Sequence, residues 1–206
     1  MPKNLHDQAV RFSERSAQPK ERRIMGQPRW TTTSDQYLNP TTGDAWAAEA
    51  AEAGQQGSQR ILDANTTYAT AEIAAHLALE AEHPAVVMRR RVILADGEPV
   101  EIAASYWPAA IAEATILAQR EKIPGGAARF LAEIGYTPSE VREDVTARMS
   151  TPFEQVVLQG RNLRLTDPEP VLVLTRILLD HTGQPYQVDI NVMRAGRHIR
   201  YVRKAG

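Results

Sequence analysis

The chain has 206 residues, of which 43 % are hydrophobic and 24 % are charged, a composition typical of one soluble globular domain with a tail. Its net charge of −1 provides no general attraction to nucleic acid or to an anionic membrane. The absence of cysteine excludes disulfides and thiolate metal sites, and it favours a cytoplasmic location. No apolar run of about 18 residues is present, so the sequence predicts no membrane span.

Residues 1–29 differ in composition from the rest of the chain. Seven basic residues stand against three acidic ones there, a net charge of +4, and apolar residues are sparse. This pattern predicts a basic N-terminal arm that is partly disordered, with a short helix near residues 8–16. Contact of this arm with nucleic acid is a second interpretation. Residues 30–206 carry the periodic patterns of a folded domain.

Three elements are predicted ahead of the centre of the chain. The alanine-rich residues 45–53 favour a helix, which Gly54 ends because glycine accepts a left-handed backbone. Residues 58–64 have the composition of a strand. Thr70 then has the position of an N-cap for a second helix, whose Ile73 faces the core.

A β-hairpin over residues 85–108 is the strongest local prediction. Asp96 and Gly97 lie between two β-rich runs, and this dipeptide is among the most specific hairpin signals. Side chains alternate along a strand, so the first run presents two faces. One face carries Val86, Met88, Arg90, Val92 and Leu94, and the other carries Val87, Arg89, Arg91 and Ile93.

Three consecutive arginines within this apolar run are costly unless solvent or an anion meets them. Arg89 and Arg90 are expected to reach the surface or to pair with acids such as Glu101. Arg91 is expected to be available for another partner.

The second half of the chain continues the alternation of strands and helices. Helices are predicted over 109–117, over 127–134 and from Thr151 onwards, and strands over 139–148, 170–180, 186–193 and 198–202. Because the strands come in hairpin pairs, the sheet should be mostly antiparallel, with helices in the connections. The predicted class is therefore an α+β domain.

The sequence shows no familiar catalytic or metal-binding motif. No histidine pair has zinc-ligand spacing, and neither a phosphate-binding loop nor a nucleophile elbow is present, so we predict no catalytic residues, no metal and no cofactor. Gly125 and Gly126 precede a helix and would expose backbone N–H groups to an anion, although a plain loop explains them as well. Glu143 and Arg148 are expected to form structural ion pairs.

The string RRRVILADGEPVEIAASYWP at residues 89–108 resembles the signature hairpin of the UTRA domain. That domain binds the effector in HutC-type regulators of the GntR superfamily. The agreement continues through Phe130, Glu143, Arg148 and Glu154 to Gly183, and it covers residues 30 to about 204. The resemblance implies a chorismate-lyase-like fold, a mostly antiparallel sheet of about six strands covered by helices. It also implies a homodimer, because family members pair through this domain and an open sheet has edges to cover.

Regulators of this family carry a winged helix-turn-helix ahead of the UTRA domain. Only 29 residues precede Trp30, and they show no recognition-helix pattern. The chain thus resembles the effector-binding domain without the DNA-binding domain, and we expect no specific DNA binding by the chain itself.

Members that sense sugar phosphates hold the effector with charged and polar side chains, most of which this sequence replaces. Arg91 matches the first family arginine, but the second falls on Ile93, the next-strand Glu on Ala103, the helix-start Ser on Gly126 and the Tyr on Ala128. The Glu of the penultimate strand falls on Gln187. A phosphate needs several charged donors to offset its desolvation. The resemblance therefore predicts a largely apolar or aromatic effector with at most one acidic group.

The predicted pocket lies on the face of the hairpin that bears Arg91. Its candidate ligand-binding residues are Trp30, Thr31, Arg91, Ser105, Gly125, Gly126, Gln187 and Asp189.

Two other functions remain open. A free-standing domain with the chorismate-lyase fold could act as an enzyme on a small carboxylate, because fold alone does not fix function. A dimerising interaction protein without a ligand is the third interpretation.

Overall fold

The computed structural model describes residues 30–32, 45–159 and 167–199. The basic arm and the helix expected near residues 8–16 lie outside these ranges. Among the described helices, none has the length and apolar character needed to cross a membrane.

Six strands form one antiparallel sheet in the order β2-β3-β4-β7-β6-β5. They are β2 (Gly57–Tyr68), β3 (Ala85–Ala95), β4 (Glu98–Pro108), β5 (Glu140–Met149), β6 (Pro170–Leu179) and β7 (Pro185–Arg194). Two short strands, β1 (Trp30–Thr32) and β8 (Arg197–Ile199), pair in parallel beside it. The α+β class and the sheet of about six strands are confirmed.

The central hairpin forms as predicted. Asp96 and Gly97 join β3 to β4 with φ values of 50° and 80°, both in the left-handed region that a tight hairpin turn requires. Directly opposite residues share a face of the sheet, so the two faces predicted for β3 extend across β4.

Helices occupy the connections between the strands. They are α1 (Ala45–Glu52), α2 (Ala71–His76), α3 (Ala109–Ala112), a 3₁₀ turn (Ile116–Ala118), α4 (Gly126–Glu133) and α5 (Pro152–Leu158). Thr70 caps α2 as expected, with its hydroxyl accepting from the Ile73 N–H. Thr151 and Glu154 form a capping box at the start of α5, since each side chain accepts from the other residue's N–H.

The strand expected over 198–202 begins at Arg197, and residues 200–202 lie outside the described ranges. Two other elements differ from prediction in their extent. The strand expected over 58–64 continues to Tyr68, because polar side chains at 65–67 are tolerated on an exposed sheet edge. The helix expected over 109–117 stops at Ala112. Thr115 ends it by donating to the Ala112 carbonyl and accepting from the Leu117 N–H, which starts the 3₁₀ turn.

The face of the sheet that carries Val87, Arg89, Arg91 and Ile93 is called the arginine face here. Trp46 and Ala50 of α1 pack on Ile93 and Ala103 at one end of it. At the other end, a second apolar cluster joins Val87 to the helical segments; it contains Trp107, Ala112, Leu117, Ile123, Leu131, Leu178 and Tyr186. The opposite face is covered by α2 and α5. The arginine face is therefore packed by helices at both ends, with polar side chains between.

Candidate functional site

A row of polar side chains crosses five strands in the middle of the arginine face. The strand register places Arg89, Ser105, Asp189, Arg176 and Glu143 directly opposite one another, and this set is called the polar row. The row beside it runs from Arg91 through Ala103, Asn191 and Leu174 to Val145 and is mostly apolar. Arg91 thus faces a different chemical environment from Arg89, although only one residue separates them in the sequence.

Arg89 is almost completely buried, with 4 % of its surface exposed. Its two terminal nitrogens donate to the backbone carbonyls of Gln119 and Glu121, in the segment that follows the 3₁₀ turn. Burial, and then repulsion from Arg91, lower the pKa of Arg89 to about 10, so it stays charged at neutral pH. The prediction that Arg89 reaches the surface or an acid was wrong, because backbone carbonyls satisfy the guanidinium inside the protein.

Arg90 and Glu101 also depart from the predicted pairing. Arg90 lies on the opposite face, where its guanidinium is 4.8 Å from the centre of the Phe153 ring. Glu101 instead accepts a hydrogen bond of 2.8 Å from Arg197.

Arg91 is only partly buried and lies opposite Ala103 on β4 and Ile61 on β2. One terminal nitrogen approaches the Gln59 side-chain oxygen at 3.4 Å, a weak hydrogen bond. The Nε atom is buried and has no hydrogen-bond partner within the described ranges. Arg91 forms no ion pair with any carboxylate there, and in particular not with Asp189.

Three of the predicted ligand-binding residues bind one another. Ser105 donates to a carboxylate oxygen of Asp189 at 2.6 Å, and the Gln187 amide donates to both oxygens of that carboxylate at 2.9 and 3.0 Å. The Gln187 carbonyl accepts from the Trp107 indole N–H at 2.9 Å. All four side chains are buried. The structure brings these three residues together, but their polar groups are already engaged inside the protein.

Arg176 completes this network and was not predicted. It lies 3.7 Å from Asp189 and donates to Glu143 at 2.8 Å. Glu143 thus belongs to a structural ion pair, as expected. An arginine within the apolar run of β6 was the available signal, since a buried charge requires a partner on a neighbouring strand. Burial, with a contribution from nearby Asp189, raises the pKa of the Tyr186 phenol, which therefore stays neutral.

The remaining predicted residues lie towards the two ends of the arginine face. Gly125 and Gly126 have φ values of 76° and 83° at the start of α4, whose Leu131 belongs to the apolar cluster around Trp107. Trp30 and Thr31 pair through their backbones with Arg197 and His198 of β8, at the α1 end. Within the described ranges, neither Gly125 nor Gly126 forms a hydrogen bond with Arg91.

A second buried ionic cluster lies at the α1 end of the arginine face, and it was not predicted from the sequence. Arg197 donates to Glu101 at 2.8 Å and lies 3.5 Å from Glu49 of α1. Its guanidinium stacks 5.0 Å from the centre of the Trp46 ring. The Trp46 indole in turn donates to the Leu94 carbonyl of β3 at 2.9 Å. One buried cation therefore connects β8, α1 and the central hairpin.

A small pocket on the opposite face is lined by Ser150, Glu154 and Arg194, among other residues. Glu154 forms two hydrogen bonds of 2.7 Å with Arg148 and also caps α5. These contacts already satisfy its carboxylate, so we assign this pocket a structural role.

The arrangement has clear relatives among known proteins. The UTRA domain family model matches residues 52–199, which is most of the chain. A putative transcriptional regulator from Streptomyces coelicolor is similar in structure, with 27 % identity, a TM-score of 0.58, and coverage of 70 % of this chain and 90 % of that one. No curated protein matches the sequence.

Two further structures share the fold at lower identity. The effector domain of PhnF from Mycobacterium smegmatis is 15 % identical, with a TM-score of 0.63 and coverage of 80 % of this chain and 97 % of that one. A putative GntR-family transcriptional regulator is 21 % identical, with a TM-score of 0.70 and coverage of 86 % and 70 %. The chain belongs to the UTRA domain family, and it is an effector-binding domain of the kind found in GntR-family transcriptional regulators.

Proposed function

We propose that this domain senses a small, largely apolar or aromatic effector that carries one carboxylate, and that Arg91 anchors that carboxylate. The observation that carries the proposal is the partly buried guanidinium of Arg91, whose Nε has no partner within the described ranges. A planar guanidinium binds a carboxylate through two parallel hydrogen bonds, a geometry that a solvated point charge does not offer.

Two other arginines of this face already have partners inside the protein. Arg89 donates to backbone carbonyls, and Arg176 forms ion pairs with Glu143 and Asp189. A sugar phosphate needs several charged donors to offset its desolvation, so these contacts disfavour one. Two neighbours of Arg91 on this face are uncharged: Ala103 and Ile93 are apolar and buried beneath α1. The partly exposed Asn191 offers one neutral polar group in the same row.

The proposed role is that of a HutC-type transcriptional regulator acting in the cytoplasm as a homodimer. Support for the dimer comes from the open sheet, whose two outer strands present unpaired backbone groups in the described part of the chain. We propose that the chain itself makes no specific contact with DNA, because its near-neutral charge gives no broad attraction to the phosphate backbone.

The test is a thermal-shift screen with aromatic and aliphatic monocarboxylates, followed by calorimetry on Arg91→Ala. A ligand at 100 times its Kd stabilises the folded state by about 2.7 kcal/mol, which is easily measured. Arg91→Ala should fold normally and bind such a carboxylate at least tenfold more weakly. Arg60→Ala is the matched control, because Arg60 is exposed on β2 and its register partner Val92 belongs to the opposite face. Unchanged affinity of Arg91→Ala, or tight binding of glucosamine-6-phosphate by the parent protein, would overturn the proposal.

A further inference from the structure

Residues 119–122 follow the 3₁₀ turn without regular secondary structure and lie on the arginine face; they are called the 119–122 segment here. The preceding 3₁₀ turn packs on β2 and β3. The carbonyls of Gln119 and Glu121 both accept hydrogen bonds from the buried guanidinium of Arg89 on β3. Arg120, which lies between them, extends instead to β2 and donates to the Leu62 carbonyl. Two arginines therefore fix this segment to two neighbouring strands.

The Leu62 carbonyl lies at the level of Arg91 on the sheet. The pairing of β2 with β3 joins Ile61 to Arg91 and Asp63 to Arg90, so Leu62 is the extra residue of a β-bulge. A bulge leaves its extra residue outside the ladder, and the carbonyl of that residue can accept from a side chain. Adjacent strands lie about 4.8 Å apart. A guanidinium that reaches Leu62 from the arginine face is therefore close to an anion bound by Arg91.

Three guanidinium groups come together at this place, and no carboxylate of the described ranges neutralises them. Arg89, Arg91 and Arg120 donate there only to carbonyl and amide oxygens. Asp63 is aligned with Arg90, whose guanidinium lies on the opposite face. Repulsion from Arg91 contributes to the lowered pKa of Arg89, so these charges act on one another. A group of cations without counter-charges favours the binding of an anion.

Arg91 and Arg120 also retain N–H donors for a ligand. The buried Nε of Arg91 has no partner in the described part of the chain, and its contact with Gln59 is weak. Arg120 is exposed, and its hydrogen bond to Leu62 uses one terminal nitrogen, whereas a guanidinium carries several N–H donors. The acid of the segment, Glu121, is exposed and forms no ion pair with the residues that the structure describes.

We infer that Arg120 is a second anchor for the carboxylate of the effector, which is then held between β3 and the 119–122 segment. The inference rests on the proposed function, because it assumes that Arg91 binds the same carboxylate. It makes Arg120 a residue that determines specificity for an acid. It also makes Arg89 a positioning residue, because Arg89 holds the segment from which Arg120 extends. The partly buried Ile61, opposite Arg91, offers apolar surface to the body of the effector.

Calorimetry with benzoate and octanoate, one aromatic and one aliphatic monocarboxylate, tests the second anchor. Arg120→Gln should bind these acids at least fivefold more weakly than the parent protein, because it removes one of two cations that contact the carboxylate. Arg120→Lys should retain part of the affinity, since it keeps a cation at this position. Lys122→Gln is the matched control, because Lys122 is an exposed cation of the same segment. Its affinity should stay within twofold of the parent's.

The salt dependence of binding separates an ionic contact from a purely structural role. Added salt screens the attraction between the carboxylate and each cation. The Kd of Arg120→Gln should therefore rise less steeply with sodium chloride than the Kd of the parent protein. Loss of the hydrogen bond to Leu62 alone would leave that dependence unchanged, and thermal melting without ligand measures the effect of this loss on stability.

The outcomes distinguish this inference from the proposed function. Unchanged affinity of Arg120→Gln, an equal loss of affinity in Lys122→Gln, or an unchanged salt dependence would refute the role of Arg120 and leave Arg91 as the anchor. Unchanged affinity of Arg91→Ala, or no binding of either acid by the parent protein, would refute the proposed function and this inference with it.

Discussion

Arg197 and Glu101 lie 96 residues apart in the sequence, yet their side chains meet at 2.8 Å inside the protein. Both are nearly inaccessible to solvent, with side-chain exposures of 2 % and 8 %. Glu49 lies on the same guanidinium, and the Trp46 ring stacks against it. The geometry makes Arg197 the common contact of the C-terminal strand, the first described helix and the hairpin that carries Arg91.

Arg197→Met should destabilise the fold by about 3–5 kcal/mol, because it leaves two buried carboxylates without their cation. Urea denaturation followed by Trp fluorescence measures this loss. Arg194→Met is the control, since Arg194 is only partly buried and makes one weak contact of 3.4 Å with the Pro99 carbonyl. Equal stabilities of the two variants would contradict the role given to Arg197.

Asp189→Ala should cost considerably more than Ser105→Ala. The serine substitution removes one hydrogen bond, worth about 1 kcal/mol, whereas loss of Asp189 leaves Ser105, Gln187 and Arg176 each short of a partner. We expect about 3 kcal/mol or more for Asp189→Ala. In the double variant, the Ser105 substitution should add little, because its partner has already gone. Full additivity in denaturant titrations would show that the network does not act as a unit.

Protonation of Glu154 should contribute to the fall in the free energy of unfolding in acid. Burial acts to raise the pKa of Glu154, but the hydrogen bonds from Arg148 and Thr151 outweigh it, and the net pKa is lowered from 4.5. A carboxyl whose pKa is lower in the folded state stabilises the protein above its unfolded pKa and loses that contribution as pH falls through the folded value. Glu154→Gln should therefore be less stable by about 2 kcal/mol at pH 7, and the difference should shrink below pH 4.5. A constant difference from pH 7 to pH 3 would contradict this account.

Local patterns were enough to predict most of the fold. The turn at Asp96 and Gly97, the cap at Thr70 and the start of a helix at Thr151 each depend on residues within a few positions of one another, and each forms as expected. The end of the helix at Ala112 was not predicted. It depends on the Thr115 hydroxyl, which donates to the Ala112 carbonyl in the helix and accepts from the Leu117 N–H in the 3₁₀ turn.

The candidate site was less predictable, because its contacts join distant strands. Sequence alternation placed Arg89 and Arg91 on one face, but only the packed segment at Gln119 explains why Arg89 is buried and Arg91 is not. The partners of Asp189 could not be assigned from periodicity, which predicts the face of a side chain and not the register of the next strand. Arg176 and Arg197 were missed for the same reason.

The parallel pairing of β1 with β8 has a consequence for how the chain folds. Trp30 lies opposite Arg197, so this pair closes a loop that contains nearly the whole domain. Contacts of such long sequence separation form late, because the entropy of closing the loop must be offset by structure already in place. During synthesis β1 leaves the ribosome first, yet it has no strand to join until residues 197–199 have emerged. β1 therefore stays unpaired with β8 while the strands of the six-stranded sheet are synthesised.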